Sequence, residues 1–368
     1  MTVTGTDGRL LNRRKCLRLL AAAPLLGFAS AHGGSFAEVT PGYVLRFPAD
    51  EGSHPAYRTE WWYVTGWLRD DSGAEWGFQV TFFRSRIAGA DDNPSAFAPT
   101  QLLFAHAGLS DPVIGHSLHD ERAAREGFGL AQAEAGAVRV WIGDWSLREE
   151  GDGYRAEVQS ADFTLDLTFR PTQPPLLNGR GGFSQKGPDP HAASYYYSLP
   201  QLEVGGRVAR AGRETRVTGR AWFDHEWSSE MLHPRAVGWD WIGINLADGG
   251  ALMAFRMRRP DGTSLWSGGT LRTREGKTCS LAPAEVRFVP SRSWTSPRTG
   301  ISYPVEWSVR AGDLAIQVRP LMDEQENDAR GSVGAVYWEG AVRAISADGR
   351  RLGRGYLELT GYGSRLQL

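Results

Sequence analysis

The sequence predicts an all-β protein built as two antiparallel β-barrels in tandem. Short runs rich in Val, Ile, Thr and aromatic residues recur along the chain, with Gly and Asp turns between them. No stretch carries a long amphipathic helical period. Counting the runs gives about sixteen strands, which suits two barrels of about eight strands better than one.

In chain order, residues 1–31 come first and are not expected to join the fold. Arg13-Arg14-Lys15 precedes a mildly apolar run, 19–28, and Ala29-Ser30-Ala31 offers a cleavage site. This is the pattern of a signal peptide, of twin-arginine type, and it predicts a periplasmic or secreted protein. Strands are expected over 60–68 and 76–83, joined as a hairpin through Asp70-Asp71-Ser72-Gly73. More follow over 138–142, 154–159, 163–169, 195–199 and 217–223. His116-Ser117-Leu118-His119-Asp120 reads as a polar loop, with one short helical turn over 121–126. The second half repeats the habit over 238–246, 252–258, 264–273, 305–309, 314–318, 333–344 and 353–360. Strand counting places the boundary near 229–234, giving barrels over 38–230 and 231–368. The Pro- and Gly-rich segment 171–190 is a rival boundary.

Composition narrows the function. The formal charge is −1. Removing residues 1–31 takes away five Lys/Arg and one Asp, leaving 36 − 41 = −5. No basic stripe with interleaved aromatics appears, so nucleic acid is not an expected partner. No later stretch approaches a membrane span, so no transmembrane segment is expected in the mature chain. Beyond the leader Cys279 is the sole cysteine, and no intrachain disulfide can form. The 14 Trp suit either large β cores or a cavity with flat walls.

Common catalytic motifs are missing: no G-x-S-x-G, no P-loop, no dinucleotide fingerprint, no H-E-x-x-H and no C-x-x-C. No metal or other cofactor is expected. What stands out is acid beside aromatic. In Phe223-Asp224-His225-Glu226-Trp227, strand alternation puts Asp224 and Glu226 on one face and Phe223, His225 and Trp227 on the other. In Trp239-Asp240-Trp241 the indoles share a face and the acid opposes them. Glu60-Trp61-Trp62-Tyr63 is the third cluster. An acid held against apolar walls has a raised pKa and can donate a proton near neutrality, and a histidine between aromatics is pushed toward its neutral form. The candidate catalytic residues are therefore His225, Asp224 and Asp240. Trp227, Trp239, Trp241, Trp61, Trp62 and Tyr63 are the candidate ligand-binding residues. Structural packing, with the acids paired to Arg, is the competing account. His106 reads as a satisfied core histidine.

These stretches resemble the secreted family that includes the AttH proteins and the carotenoid 1,2-hydratases of CrtC type. The matches are His54-Pro55 with 60–63, Phe104-Ala105-His106-Ala107, Ser194 to Ser198 and Ala221 to Trp227. They continue with Gly238 to Trp241, Glu324-Gln325-Glu326, Tyr337-Trp338-Glu339-Gly340 and Gly355 to Tyr362. The resemblance implies two lipocalin-like, calycin-type barrels and a hydrophobic, lipid- or isoprenoid-like ligand. In the hydratase branch a His-x-Trp pair and a Tyr-x-Asp pair are the candidate catalytic groups. His225 and Trp227 match the first, whereas 251–256 carries no counterpart of the second. Two functions follow. One is a cofactor-free hydratase or hydrolase. The other is a periplasmic binding protein linked to an ABC transporter, a partnership implied by the AttH branch.

Overall fold

The computed structural model describes residues 36–95 and 97–366. The leader expected over 1–31 lies outside the described residues. The chain is all-β: two antiparallel sheets, each curled around its own core, with three single-turn 3-10 helices among the described residues. No described helix is long and apolar enough to cross a membrane.

The first sheet uses β1 (Thr59–Asp70), β2 (Glu75–Arg86), β3 (Gln101–Asp111), β4 (His116–Arg125), β5 (Ala131–Ala133), β6 (Arg139–Ile142), β7 (Trp145–Glu150), β8 (Gly153–Gln159), β9 (Phe163–Arg170), β10 (Leu176–Leu177), β11 (Phe183–Gln185), β12 (Ala193–Arg210) and β13 (Arg213–Ser228). Its order is β4-β3-β2-β1-β13-β12-β9-β8-β7-β6-β5, with β10 and β11 added on β12. The two ends approach each other, β3 and β4 against β5 and β6, so the barrel is nearly closed. The second sheet uses β14 (Gly238–Leu246), β15 (Ala251–Arg258), β16 (Ser264–Arg272), β17 (Thr278–Leu281), β18 (Val286–Thr295), β19 (Ser302–Ala311), β20 (Leu314–Pro320), β21 (Glu326–Ala329), β22 (Ala335–Ile345) and β23 (Arg351–Leu359). Its order is β17-β16-β15-β14-β23-β22-β20-β19-β18, with β21 on β22. The first sheet ends at Ser228 and the second begins at Gly238.

One expectation needs correction. Residues 116–126 do not form a polar loop and a helical turn. Residues 116–125 form β4, paired antiparallel with β3 from Asp111↔His116 to Leu102↔Arg125. β4 is an edge strand, and its residues are half-buried or exposed throughout. An edge strand needs no apolar alternation, so the signal that marks central strands is absent from its sequence.

Three apolar clusters organise the molecule. One fills the first barrel and one the second. The third lies between them. This seam explains the burial of β13, whose last eight residues are buried on both faces. Odd positions Phe223 and Trp227 point into the first core, while Trp222 points to the seam with Tyr63, Trp67, Tyr196 and Trp241. A strand that reads apolar on both faces is expected where both faces are covered. Close approach at the seam also restricts side-chain size. A Cβ on Gly77 of β2 would stand 2.6 Å from the Ala341 Cβ of β22. Polar contacts lock the two barrels: the Trp67 indole donates to Gly355 O at 3.0 Å, and Glu75 binds both Arg343 and Arg354.

Candidate active site between the barrels

A cavity of about 310 Å³ opens along the seam. Its walls are mostly apolar: Trp61, Phe83 and Phe104 from the first barrel face Trp239, Trp241 and Phe255 from the second. Five acids line it: Glu60 from β1, Asp224 and Glu226 from β13, Glu339 from β22 and Glu358 from β23.

Glu339 and Glu358 are directly opposed cross-strand partners. Side chains directly opposite on one face lie close, and like charges there repel. Burial pushes Glu339 well above the usual carboxyl range, and Glu358 adds to it. Burial likewise raises Glu358 to about 7, opposed by the Trp239 indole N–H. Glu358 keeps some accessible surface because it opens into the cavity. Gln79 donates to Glu339 Oε2 at 3.0 Å. Glu339 Oε1 makes no hydrogen bond of good geometry, although Tyr63 stands beside it. Two such carboxyls without a cation between them hold a proton near neutrality.

On the facing wall Asp224 is raised to about 7 by burial, against the pull of its hydrogen bonds from Ser198, Tyr196 and Trp222. Tyr196 donates to Oδ2 at 2.6 Å, while the Trp222 indole donates to Oδ1 at 2.7 Å and Ser198 at 2.5 Å. The Trp241 indole in turn donates to the Tyr196 oxygen at 3.0 Å. Glu226 differs because it has a cation, with Lys186 Nζ 2.8 Å from Oε1. That ammonium also lies over the Phe255 and Tyr196 rings, at 4.2 and 4.7 Å.

The candidates read from sequence divide cleanly in space. Asp224, Trp61, Tyr63, Trp239 and Trp241 line the cavity. His225, Trp62 and Trp227 face the interior of the first barrel. There the His225 ring stacks on Trp62 with centroids 4.8 Å apart. Its Nε2 lies 2.9 Å from Glu60 Oε1 and its Nδ1 3.3 Å from the Tyr197 hydroxyl. Burial lowers its pKa, and Glu60 only partly offsets that. Asp240 points away from Trp239 and Trp241, into a cage of Arg256, Arg258 at 2.7 Å and the Tyr362 hydroxyl at 2.8 Å. Glu339 and Glu358 were not singled out by sequence reasoning. Their face of the sheet was readable from alternation, but their opposition depends on a register set between two separate strands.

His54, Glu60 and His225 bring three potential metal-ligand atoms within 4.8 Å of one another. These atoms are already committed to each other. Burial alone would push the Glu60 carboxyl up. Arg84 at 2.9 Å, His225 and His54 together outweigh that and hold it well below the usual range. Ser53 and the His54 backbone N–H complete its shell. The group is satisfied as a hydrogen-bonded anion, and a cation there would displace ring protons already donated to it.

Comparison with known proteins agrees with this architecture. The sequence pattern of the AttH-like family matches residues 38–362. The solved structure of a protein assigned as an AttH from Nitrosomonas europaea is 49% identical, with a TM-score of 0.83 over 89% of this chain and 100% of that one. Kievitone hydratase from Nectria haematococca shares the fold, with a TM-score of 0.68 at 14% identity over 90% and 96% of the two chains. In sequence, kievitone hydratase of Fusarium solani subsp. phaseoli is 22% identical over 208 residues, 54% of this chain and 58% of that protein. The dehydratase asqC of Emericella nidulans is 24% identical over 192 residues, 47% of this chain and 50% of that protein. The chain thus spans about half the length of these curated relatives.

Proposed function

This chain belongs to the AttH-like family, and from that premise we propose that it is a hydratase or dehydratase acting on an apolar, isoprenoid-like alkene or alcohol in the cavity between the barrels, by side-chain acid–base chemistry. The observation that carries the reading is the Glu339–Glu358 pair, two opposed carboxyls in an apolar cavity that hold a proton near neutral pH. A neutral carboxyl there can protonate one alkene carbon. The aromatic walls are suited to a cation developing on the other carbon. Water adds to that carbon, and the proton it loses returns to the carboxylate left on the pair, so the sum is alkene plus water. Dehydration is the reverse. Asp224, fixed by three donors, and Tyr196 form the facing polar wall and orient the substrate. The names of two curated relatives, a hydratase and a dehydratase, support the same reaction class. The reading includes export, on the strength of residues 1–31.

The test is to incubate the protein with farnesol and with kievitone in D2O and in H2(18)O, and to follow both labels by mass spectrometry. Carbon-bound deuterium and 18O in the product are expected, both lost in Glu339→Gln/Glu358→Gln. A bound, unaltered isoprenoid recovered with no label in either solvent would refute catalysis and favour a carrier, the role that fits an ABC-transporter partner.

A further inference from the structure

We infer that Tyr337 seats the reacting water, as a hydrogen-bond acceptor whose direction is fixed by a chain through His106 and Ser332 to Glu121. The inference rests on reading the cavity as a site of water addition. Tyr337 lines the cavity, and Glu339 lies two residues on along β22. The two therefore share a face, roughly 7 Å apart along the strand.

Donor counting fixes the direction. Ser332 has one hydroxyl hydrogen, and it goes to the Glu121 carboxylate. The Gly331 N–H holds the other Glu121 oxygen at 3.0 Å. Ser332 Oγ lies 2.8 Å from His106 Nε2, and having spent its hydrogen it accepts, so Nε2 carries the proton. His106 is fully buried, and burial, with His119 nearby, lowers its pKa to about 3. A neutral imidazole protonated on Nε2 has a bare Nδ1. That atom lies 2.7 Å from the Tyr337 oxygen, so the phenol donates to it. The phenol hydrogen is thus committed to the wall, and its oxygen, which also takes a hydrogen bond from Gln79, can meet the cavity only as an acceptor. A water there donates one hydrogen to Tyr337, and Glu339 Oε1, which lacks a bond of good geometry, becomes the acceptor for the other once the pair has given its proton to the alkene. After the pair protonates the alkene, the water oxygen forms the new C–O bond and its second proton passes to the pair. Tyr337 gains and loses no proton overall. His106, Ser332 and Glu121 are positioning residues, and the chain crosses the seam three times, since His106 and Glu121 come from the first barrel and Tyr337 and Ser332 from the second.

The chain can be read without substrate. Imidazole 15N NMR should show His106 neutral and protonated on Nε2, with Nδ1 bare. A proton on Nδ1 would reverse the direction and overturn the inference. With the isoprenoid probe farnesol, Tyr337→Phe and Ser332→Ala should lose 18O incorporation by roughly a hundredfold while keeping carbon deuteration, because protonation survives and water placement does not. Ser332→Thr, which keeps the hydroxyl, should restore it. Equal loss of both labels in Ser332→Ala would mean a merely structural role and would overturn the inference. Absence of both labels in the wild type refutes the hydratase reading instead, and the tautomer then still decides whether Tyr337 is an acceptor.

Discussion

Replacing Glu358 by Gln should stabilise the protein at pH 8 and not at pH 4.5. The Glu358 carboxyl is raised from 4.5 to about 7 in the folded chain. A raised folded value means the native state binds the proton more tightly than the unfolded one. The associated stability is therefore complete below about 4.5 and is lost as the pH climbs through 7. A displacement of that size corresponds to about 2–3 kcal/mol at a site partly open to its cavity. Gln keeps the shape and carries no charge, so it escapes the loss. It also relieves Glu339, which Glu358 helps to hold protonated. Urea unfolding of both proteins at pH 4.5 and 8 reads the effect directly. The stability difference between variant and wild type should shift by about 2–3 kcal/mol in favour of the variant between the two pH values. A difference independent of pH would refute the claim that these opposed carboxyls share a proton.

Other perturbations separate cavity from scaffold. Asp240→Ala leaves Arg256 and Arg258 buried without their acid, and should cost about 3–5 kcal/mol in urea unfolding. Replacing His225 by Ala removes a ring packed on Trp62 and a donor to Glu60. It should cost about 2–4 kcal/mol by the same measurement, while isotope incorporation per folded molecule stays near wild type. Gly77→Val drives a side chain into Ala341 at the seam, where the added Cβ alone would lie 2.6 Å away. It should cost about 1–3 kcal/mol and weaken farnesol binding, followed by Trp fluorescence.

The residue pattern reveals the architecture better than the site. Alternation along β13 places Asp224 and Glu226 opposite His225 and Trp227, and the structure has them so. What alternation does not reveal is which face meets a core and which meets a cavity, because both faces of β13 are covered. Aromatic flanks mark burial alone, and so Asp240, His225 and Asp224 look alike in sequence. Their partners tell them apart: two arginines for Asp240, Glu60 for His225, and only neutral donors for Asp224. The Glu339–Glu358 pair and the His106–Tyr337 contact depend on register and on docking across 231 residues, which no local window contains.

Because the reaction chamber is a gap between two self-contained barrels, its outline is set by how they are mated. A small tilt of one body against the other would reshape the void while leaving every wall residue in place. Chemistry in such a scaffold can thus drift toward new molecules through changes at the rim of contact, at positions such as Gly77, Glu75 and Trp67 that never touch what is bound.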